Sequence, residues 1–178
     1  MEENVRDLAH NSKVQIHKVV SGELLKIAKK LIIEYSHSLK SNICLRDFEK
    51  EMEEFPGEYA PPEGAVLLAF VNNSAVGCVV LRPLQEDLCE MKRLYVKPEY
   101  RGLSIGNLLV RNIIPEARKI GYKGVRLDTL PEMKEAQSLY SKLGFVNIPE
   151  YGNNHFPGAH FMELDLKKEL KRMKVLRC

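Results

Sequence analysis

One stretch, Cys89 to Ile120, constrains what this chain can fold into more than any other. Glu90 to Val96 reads as a strand, and a turn containing Pro98 and Gly102 follows. From about Ile105 the apolar residues Ile105, Leu108, Leu109, Ile113 and Ala117 recur at helical spacing. A strand, a tight turn and a helix in succession form a device for holding an anion. The first helical turn has N–H groups without partners and a partial positive charge, and Gly102 and Gly106 let the backbone approach a ligand. Pro115 lies inside the helical pattern and predicts a kink between Arg111 and Pro115, at a cost of about 3 kcal/mol. Gly121 suits the position just beyond the helix.

The rest of the chain supplies partners for this unit. Val14 to Val20 reads as a first strand, and Ser21 as the N-cap of an amphipathic helix of about four turns whose stripe includes Leu24, Ala28, Leu31, Ile32 and Tyr35. A short helix is expected from roughly Leu45 to Glu54, with Asp47 and Glu49 favouring its early turns, before Pro56, Pro61 and Pro62 break the pattern. Ala65 to Val71 and Ala75 to Leu81, separated by Asn72, Asn73 and Ser74, signal an antiparallel hairpin in which Gly77 marks a bulge or close approach. LRPLQEDL reads as a turn, Val125 to Thr129 as a strand and Pro131 to Leu143 as a helix ended by Gly144. FVNIPE and FMELDL read as two last strands. A mixed sheet with helices on both faces accommodates this order.

Composition narrows the class. At 178 residues the chain has enough length for one well-buried core. We expect a loose segment over 1–13, a single domain over 14–166 and a basic tail over 167–178. No apolar run approaches the roughly 20 residues of a membrane span, and the polar, partly acidic start does not resemble a secretory signal, so the expected location is cytoplasmic. The formal charge of +3 is uneven: 167–178 carries a net +5, leaving −2 over 1–166. A basic nucleic-acid binder is therefore not expected. Cys44, Cys78, Cys89 and Cys178 are widely spaced without histidine partners at ligand intervals, which suggests neither disulfides nor a metal site.

RGLSIGN follows the strand-like MKRLYV, and EAQSLYSKLGF comes later. These two runs resemble the GNAT superfamily of N-acetyltransferases, whose pyrophosphate-binding pattern is Arg or Gln, two residues, Gly, one residue, then Gly or Ala. The corresponding residues are Arg101, Ser104 and Gly106, so a serine stands where the pattern has its first glycine. Ala136, Leu139, Tyr140, Gly144 and Phe145 match the family's helix beside the coenzyme arm, with Met133 where members often carry asparagine. The resemblance implies an α/β fold with a mixed, largely antiparallel central sheet, helices on both faces and a splayed cleft for acetyl-coenzyme A (acetyl-CoA). It implies that the strand backbone at Leu94, Tyr95 and Val96 bonds the pantetheine arm. It further implies that N–H groups from Arg101 through Gly102, Leu103, Ser104, Ile105, Gly106 and Asn107 surround the pyrophosphate.

The chemistry implied is direct attack of a neutral amine on the acetyl thioester. Glu90 corresponds to a glutamate that serves as general base in some members, and Tyr140 occupies the recurring general-acid position. His155 and His160 are alternative bases. An N–H around Leu94 to Val96 is expected to stabilise the developing oxyanion, and no metal is required. The expected acceptor is a small-molecule amine shaped by the loops over 36–63 and 149–159, with Tyr35, Phe48, Phe55 and Tyr59 as candidate contacts. A peptide or protein acceptor, a noncatalytic acetyl-CoA module and a scaffold without coenzyme are the other readings. Homodimerisation is common in the family.

Overall fold

The computed structural model describes residues 13–39, 48–152 and 157–168. Its strands are β1 (Gln15–Val19), β2 (Ala65–Val71), β3 (Ser74–Gln85), β4 (Leu88–Val96), β5 (Gly124–Thr129), β6 (Val146–Ile148) and β7 (His160–Asp165). The helices are α1 (Glu23–Ser38), α2 (Phe48–Glu54), α3 (Ile105–Ile120) and α4 (Lys134–Lys142). The strands form one sheet in the order β1-β2-β3-β4-β5-β7-β6. Every neighbouring pair is antiparallel except β4 and β5, which α3 joins as a parallel pair.

Each face of the sheet buries its own apolar set. Val79, Leu81, Cys89, Met91, Val125 and Leu127 pack with Ile105, Leu109 and Ile113 of α3 and with Tyr140 of α4. On the opposite face Val66, Leu68, Cys78, Val80 and Tyr95 pack with Ala28, Leu31 and Ile32 of α1 and Phe48 and Met52 of α2. The period of two along each strand produces this division. A third tie is ionic: Lys18 of β1 and Lys119 each donate to Glu116 of α3 at 2.6 Å.

The local signals act largely as their chemistry predicts. Asn72 and Asn73, at φ 48° and 64°, form the two-residue hairpin turn between β2 and β3. Gly121, at φ 113°, closes α3 by donating to the Ala117 and Arg118 carbonyls. Gly77 is a place of close approach: a Cβ there would lie 2.6 Å from the Tyr95 carbonyl oxygen. The pairing with β2 is irregular beside it, since Ala69 faces Gly77 while Phe70 faces Ala75. α3 continues past Pro115 to Ile120.

Three boundaries differ from the sequence reading. The N-cap of α1 is Gly22 and not Ser21, because the chain turns into the helix through φ 76°, which glycine adopts without strain. LRPLQEDL is not all turn: β3 runs through Pro83 to Gln85, with Pro83 opposite Cys89 at a register irregularity that tolerates its missing N–H. α4 begins at Lys134 and not at Pro131, since the Gln137 amide donates to the Leu130 and Pro131 carbonyls and holds them as a turn. Residues 45–47 of the expected short helix lie outside the described residues, as do most of the expected loose start and basic tail.

Gly77→Ala is expected to destabilise the fold by about 1–3 kcal/mol, because the clash is with backbone and cannot be relieved by a rotamer change. The measurement is the urea midpoint; an unchanged value would show that the β3–β4 ladder yields at this point.

Candidate active site

β4 and β5 lie side by side only where Leu88 to Glu90 faces Gly124 to Arg126, although β4 continues to Val96 and β5 to Thr129. The pairing ends at Glu90, and further along β4 bulges against β3. Cys78 faces Tyr95 and Val80 faces Lys92, so Arg93 and Leu94 together oppose Val79. Arg93 sits at φ 56°, a left-handed conformation that costs about 1–2 kcal/mol for a residue with a Cβ. Its guanidinium donates to Glu51 of α2 at 3.1 and 2.5 Å and lies 5.1 Å from the Phe48 ring centroid. The Tyr59 hydroxyl donates to the same Glu51 at 2.7 Å. Burial raises the Glu51 pKa, but the Arg93 hydrogen bonds and charge outweigh it and hold the carboxyl below its ordinary value.

Beyond Glu90 the edge of β4 toward β5 has no strand partner among the described residues, so an extended ligand can use its backbone groups around Leu94 and Val96. The Val96 carbonyl accepts from Arg101 Nε at 3.2 Å. Tyr95 does not serve this edge: its carbonyl oxygen faces Gly77 of β3. Its side chain packs on the α1 face, donates from the hydroxyl to Glu34 at 2.8 Å and lies 5.7 Å from the Tyr35 ring.

This edge leads to the start of α3. Leu108 N–H donates to the Ser104 carbonyl, while no side chain caps the N-terminus. The N–H groups of Ile105, Gly106 and Asn107 thus have no helical acceptor. Asn107 uses its side-chain oxygen to accept from Arg111 Nε at 2.8 Å. Ile105 is buried and Leu103 packs on the same core, which anchors the turn while its backbone turns outward. Gly102 sits at φ 86° and Ser104 at φ 58°. The serine that replaces the pattern's glycine therefore occupies a left-handed position. A Cβ at Gly106 would meet nothing closer than 3.7 Å, so packing tolerates one; the glycine leaves open the space between Val96 and Leu139.

Tyr140 of α4 is buried in the core on the α3 side, its ring 5.7 Å from Phe145. Burial, then the nearby Tyr35 and Asp128, push its pKa far above that of a free phenol, so it is a neutral donor at ordinary pH. Glu90 is almost fully buried and its carboxylate is occupied. Arg82 donates to Oε2 from Nε at 2.9 Å and from Nη2 at 2.8 Å, and the Tyr151 hydroxyl donates to Oε1 at 3.0 Å. Oε1 keeps a lone pair beyond the one that Tyr151 uses, but burial closes it to solvent, so a role as base requires the groups over it to move. His160 opens β7 opposite Thr129, and His155 lies outside the described residues. Of the candidate aromatic contacts, Phe48 and Tyr59 are buried and serve the Arg93 network.

Sequence reasoning did not select Arg82, Arg126 or Asp128. Arg126 and Asp128 alternate with the core residues Val125 and Leu127, so they share the face of Glu90 and Lys92. That alternation was the available signal. Arg126 donates to Glu163 at 2.7 Å and stacks over Tyr151, while Arg82 also reaches Glu58 at 2.9 Å.

An unpaired strand edge running into an uncapped helix start fits a ligand that carries amides and then phosphates. The comparisons agree. The chain belongs to the acetyltransferase (GNAT) family, whose model matches residues 30–145. It is 36% identical to an uncharacterized N-acetyltransferase of Schizosaccharomyces pombe, covering 88% of this chain and 98% of that protein. A Staphylococcus aureus acetyltransferase of the GNAT family has the same fold, with TM-score 0.68, 24% identity and coverage of 85% of this chain and 99% of its own. A Salmonella typhimurium acetyltransferase solved with acetyl-CoA superposes with TM-score 0.63 at 18% identity, covering 86% and 94%.

Ser104→Gly is expected to raise stability by about 0.5–1 kcal/mol, the left-handed strain removed less the added freedom of the unfolded chain. Because the strain is already present without ligand, acetyl-CoA affinity should stay within about threefold. Urea denaturation and calorimetric titration of the two proteins measure both; a large gain in affinity would mean that the turn forms only on binding.

Proposed function

We propose that this chain transfers acetyl from acetyl-CoA to a primary amine of a small molecule by direct attack. The observation that carries the reading is the β4 edge without a strand partner among the described residues, which runs into the uncapped first turn of α3. In this reading the backbone near Leu94 and Val96 bonds the pantetheine amides, and Arg101 through Asn107 surround the pyrophosphate. Bound acetyl-CoA supplies the activated acetyl group. Tyr140 gives a proton to the departing sulfur, and an N–H on the β4 edge favours charge on the former thioester oxygen.

The acceptor enters from the α1 and α2 side. A cavity of about 270 Å³ lined by Glu51, Glu58, Tyr59 and Arg82 lies there, and Arg82 links it to Glu90. In solution the protein works in the cytoplasm, and association into homodimers is compatible with the reading.

Calorimetric titration should show one acetyl-CoA bound per chain, followed by amine-dependent thiol release. Tyr140→Phe is expected to lower kcat about 100-fold with acetyl-CoA affinity preserved. Saturable binding without thiol release from any amine would leave a noncatalytic acetyl-CoA module, and no binding by folded protein would end the acetyltransferase reading.

A further inference from the structure

Where β4 and β5 part, the first side chains beyond the last paired residues on the α1 face are Lys92 and Asp128. Lys92 Nζ donates to Asp128 Oδ1 at 3.3 Å and lies 3.6 Å from Glu90 Oε2. Two carboxylates thus share one ammonium, and their situations are unequal. The Glu90 side chain is 5% exposed and holds Arg82 and Tyr151 as well. The Asp128 side chain is 37% exposed, and Lys92 is its ion-pair partner among the described residues. A proton acceptor needs a lone pair that substrate can reach. Asp128 offers one at the mouth of the cleft, whereas Glu90 does not.

Asp128 also sits between the two sides of the reaction. Burial and a nearer neighbour raise the pKa of both Tyr140 and Tyr151, and the Asp128 charge adds to each. Its carboxylate is therefore within electrostatic reach of the phenol placed to serve the sulfur. The charged and titratable groups on its side of the sheet are Glu90 and Lys92 on β4, Arg126 on β5, which holds Glu163 of β7, and Tyr151 after β6, with Tyr140 of α4 in electrostatic reach.

We infer that Asp128 binds the ammonium of the acceptor and takes its proton, while Glu90 is a positioning residue that holds Arg82, Lys92 and Tyr151. The inference rests on the acetyl-transfer reading above. The incoming ammonium shares Asp128 with Lys92 and yields one proton to the carboxylate. The freed nitrogen lone pair forms the C–N bond at the thioester carbon, and the C–S bond breaks with its electron pair on sulfur. Tyr140 protonates that sulfur and is reprotonated by the second proton that the nitrogen sheds. Phenolate consequently does not accumulate. The products are an N-acetyl amide and coenzyme A thiol, and Asp128 releases its proton to water.

The test is steady-state kinetics of the full chain with five probes: methylamine, ethanolamine, L-lysine, L-aspartate and spermidine. Asp128→Asn, Asp128→Glu and Glu90→Gln are compared with the unsubstituted protein, using the probe it acetylates fastest. Urea midpoints confirm that each variant is folded. Asp128→Asn is expected to lower kcat/KM about 100-fold near pH 7. Its rate should then follow the neutral fraction of the amine, so the deficit narrows as pH rises toward the amine's own pKa of about 10, where no base is needed. Asp128→Glu should recover part of the rate, and Glu90→Gln should lose about tenfold by a factor that does not change with pH. Asp128→Asn activity within threefold of the unsubstituted protein near pH 7, or a deficit that narrows with pH only in Glu90→Gln, would overturn the inference and leave acetyl transfer standing. If the unsubstituted protein binds acetyl-CoA but acetylates none of the five amines, the small-molecule transfer reading fails first and this inference falls with it.

Discussion

The cleft depends on one residue kept in an unfavourable conformation. Arg93 puts an extra residue into β4, and the left-handed backbone this requires is stabilised by a bidentate pairing with Glu51 over the Phe48 ring. Removing one partner of such a buried pair costs about 3–5 kcal/mol, because the other charge is left unpaired, so Arg93 and Glu51 are held to one another. α2, a helix of seven residues, is therefore part of the device that keeps β4 apart from β5. Through Glu51 it also lines the depression proposed above for the acceptor. One carboxylate thus touches both the bulge of β4 and that depression.

The two faces of the sheet divide the work. On the α3 and α4 face, apolar packing anchors the turn after β4 and leaves only backbone donors for a ligand. On the α1 and α2 face, the strands carry Arg82, Glu90, Lys92, Arg126 and Asp128, ion-paired with one another or with the residues packed on them. Tyr140 belongs to the first face by packing and senses the second through Asp128 and Tyr35. Only a gap in the sheet permits that, because intact β4–β5 pairing would separate the two sides by a layer of backbone.

What the sequence revealed and what it hid follow from the range of the interactions. Asn72 with Asn73, Gly121, and the strand, turn and helix over 89–120 act within a few residues, and each was legible. The bulge was not, since nothing in MKRLYV marks which residue is surplus; Glu51, 42 positions away, decides it. Glu90 was legible as a carboxylate at the site, but its engagement by Arg82 and Tyr151 is tertiary. Asp128 lies in plain alternation with Val125 and Leu127, but its place beside Lys92 is tertiary and nothing local to it marks that contact. Ser104 could be read as a departure, yet its strain depended on a backbone angle that sequence does not print.

The open β4 edge poses a problem that the protein must solve before any ligand arrives. An unpaired strand edge invites association with other chains, and charged side chains on the edge are a common remedy. Arg101 does more than add charge, since its Nε occupies the Val96 carbonyl that a pantetheine amide would use. Binding then exchanges one hydrogen bond for another, so the net gain at that carbonyl is small. In the proposed complex the displaced guanidinium becomes free to pair with a phosphate. On this view Arg101 contributes to affinity chiefly by where it goes after it leaves the strand, and the backbone of the turn supplies the selectivity.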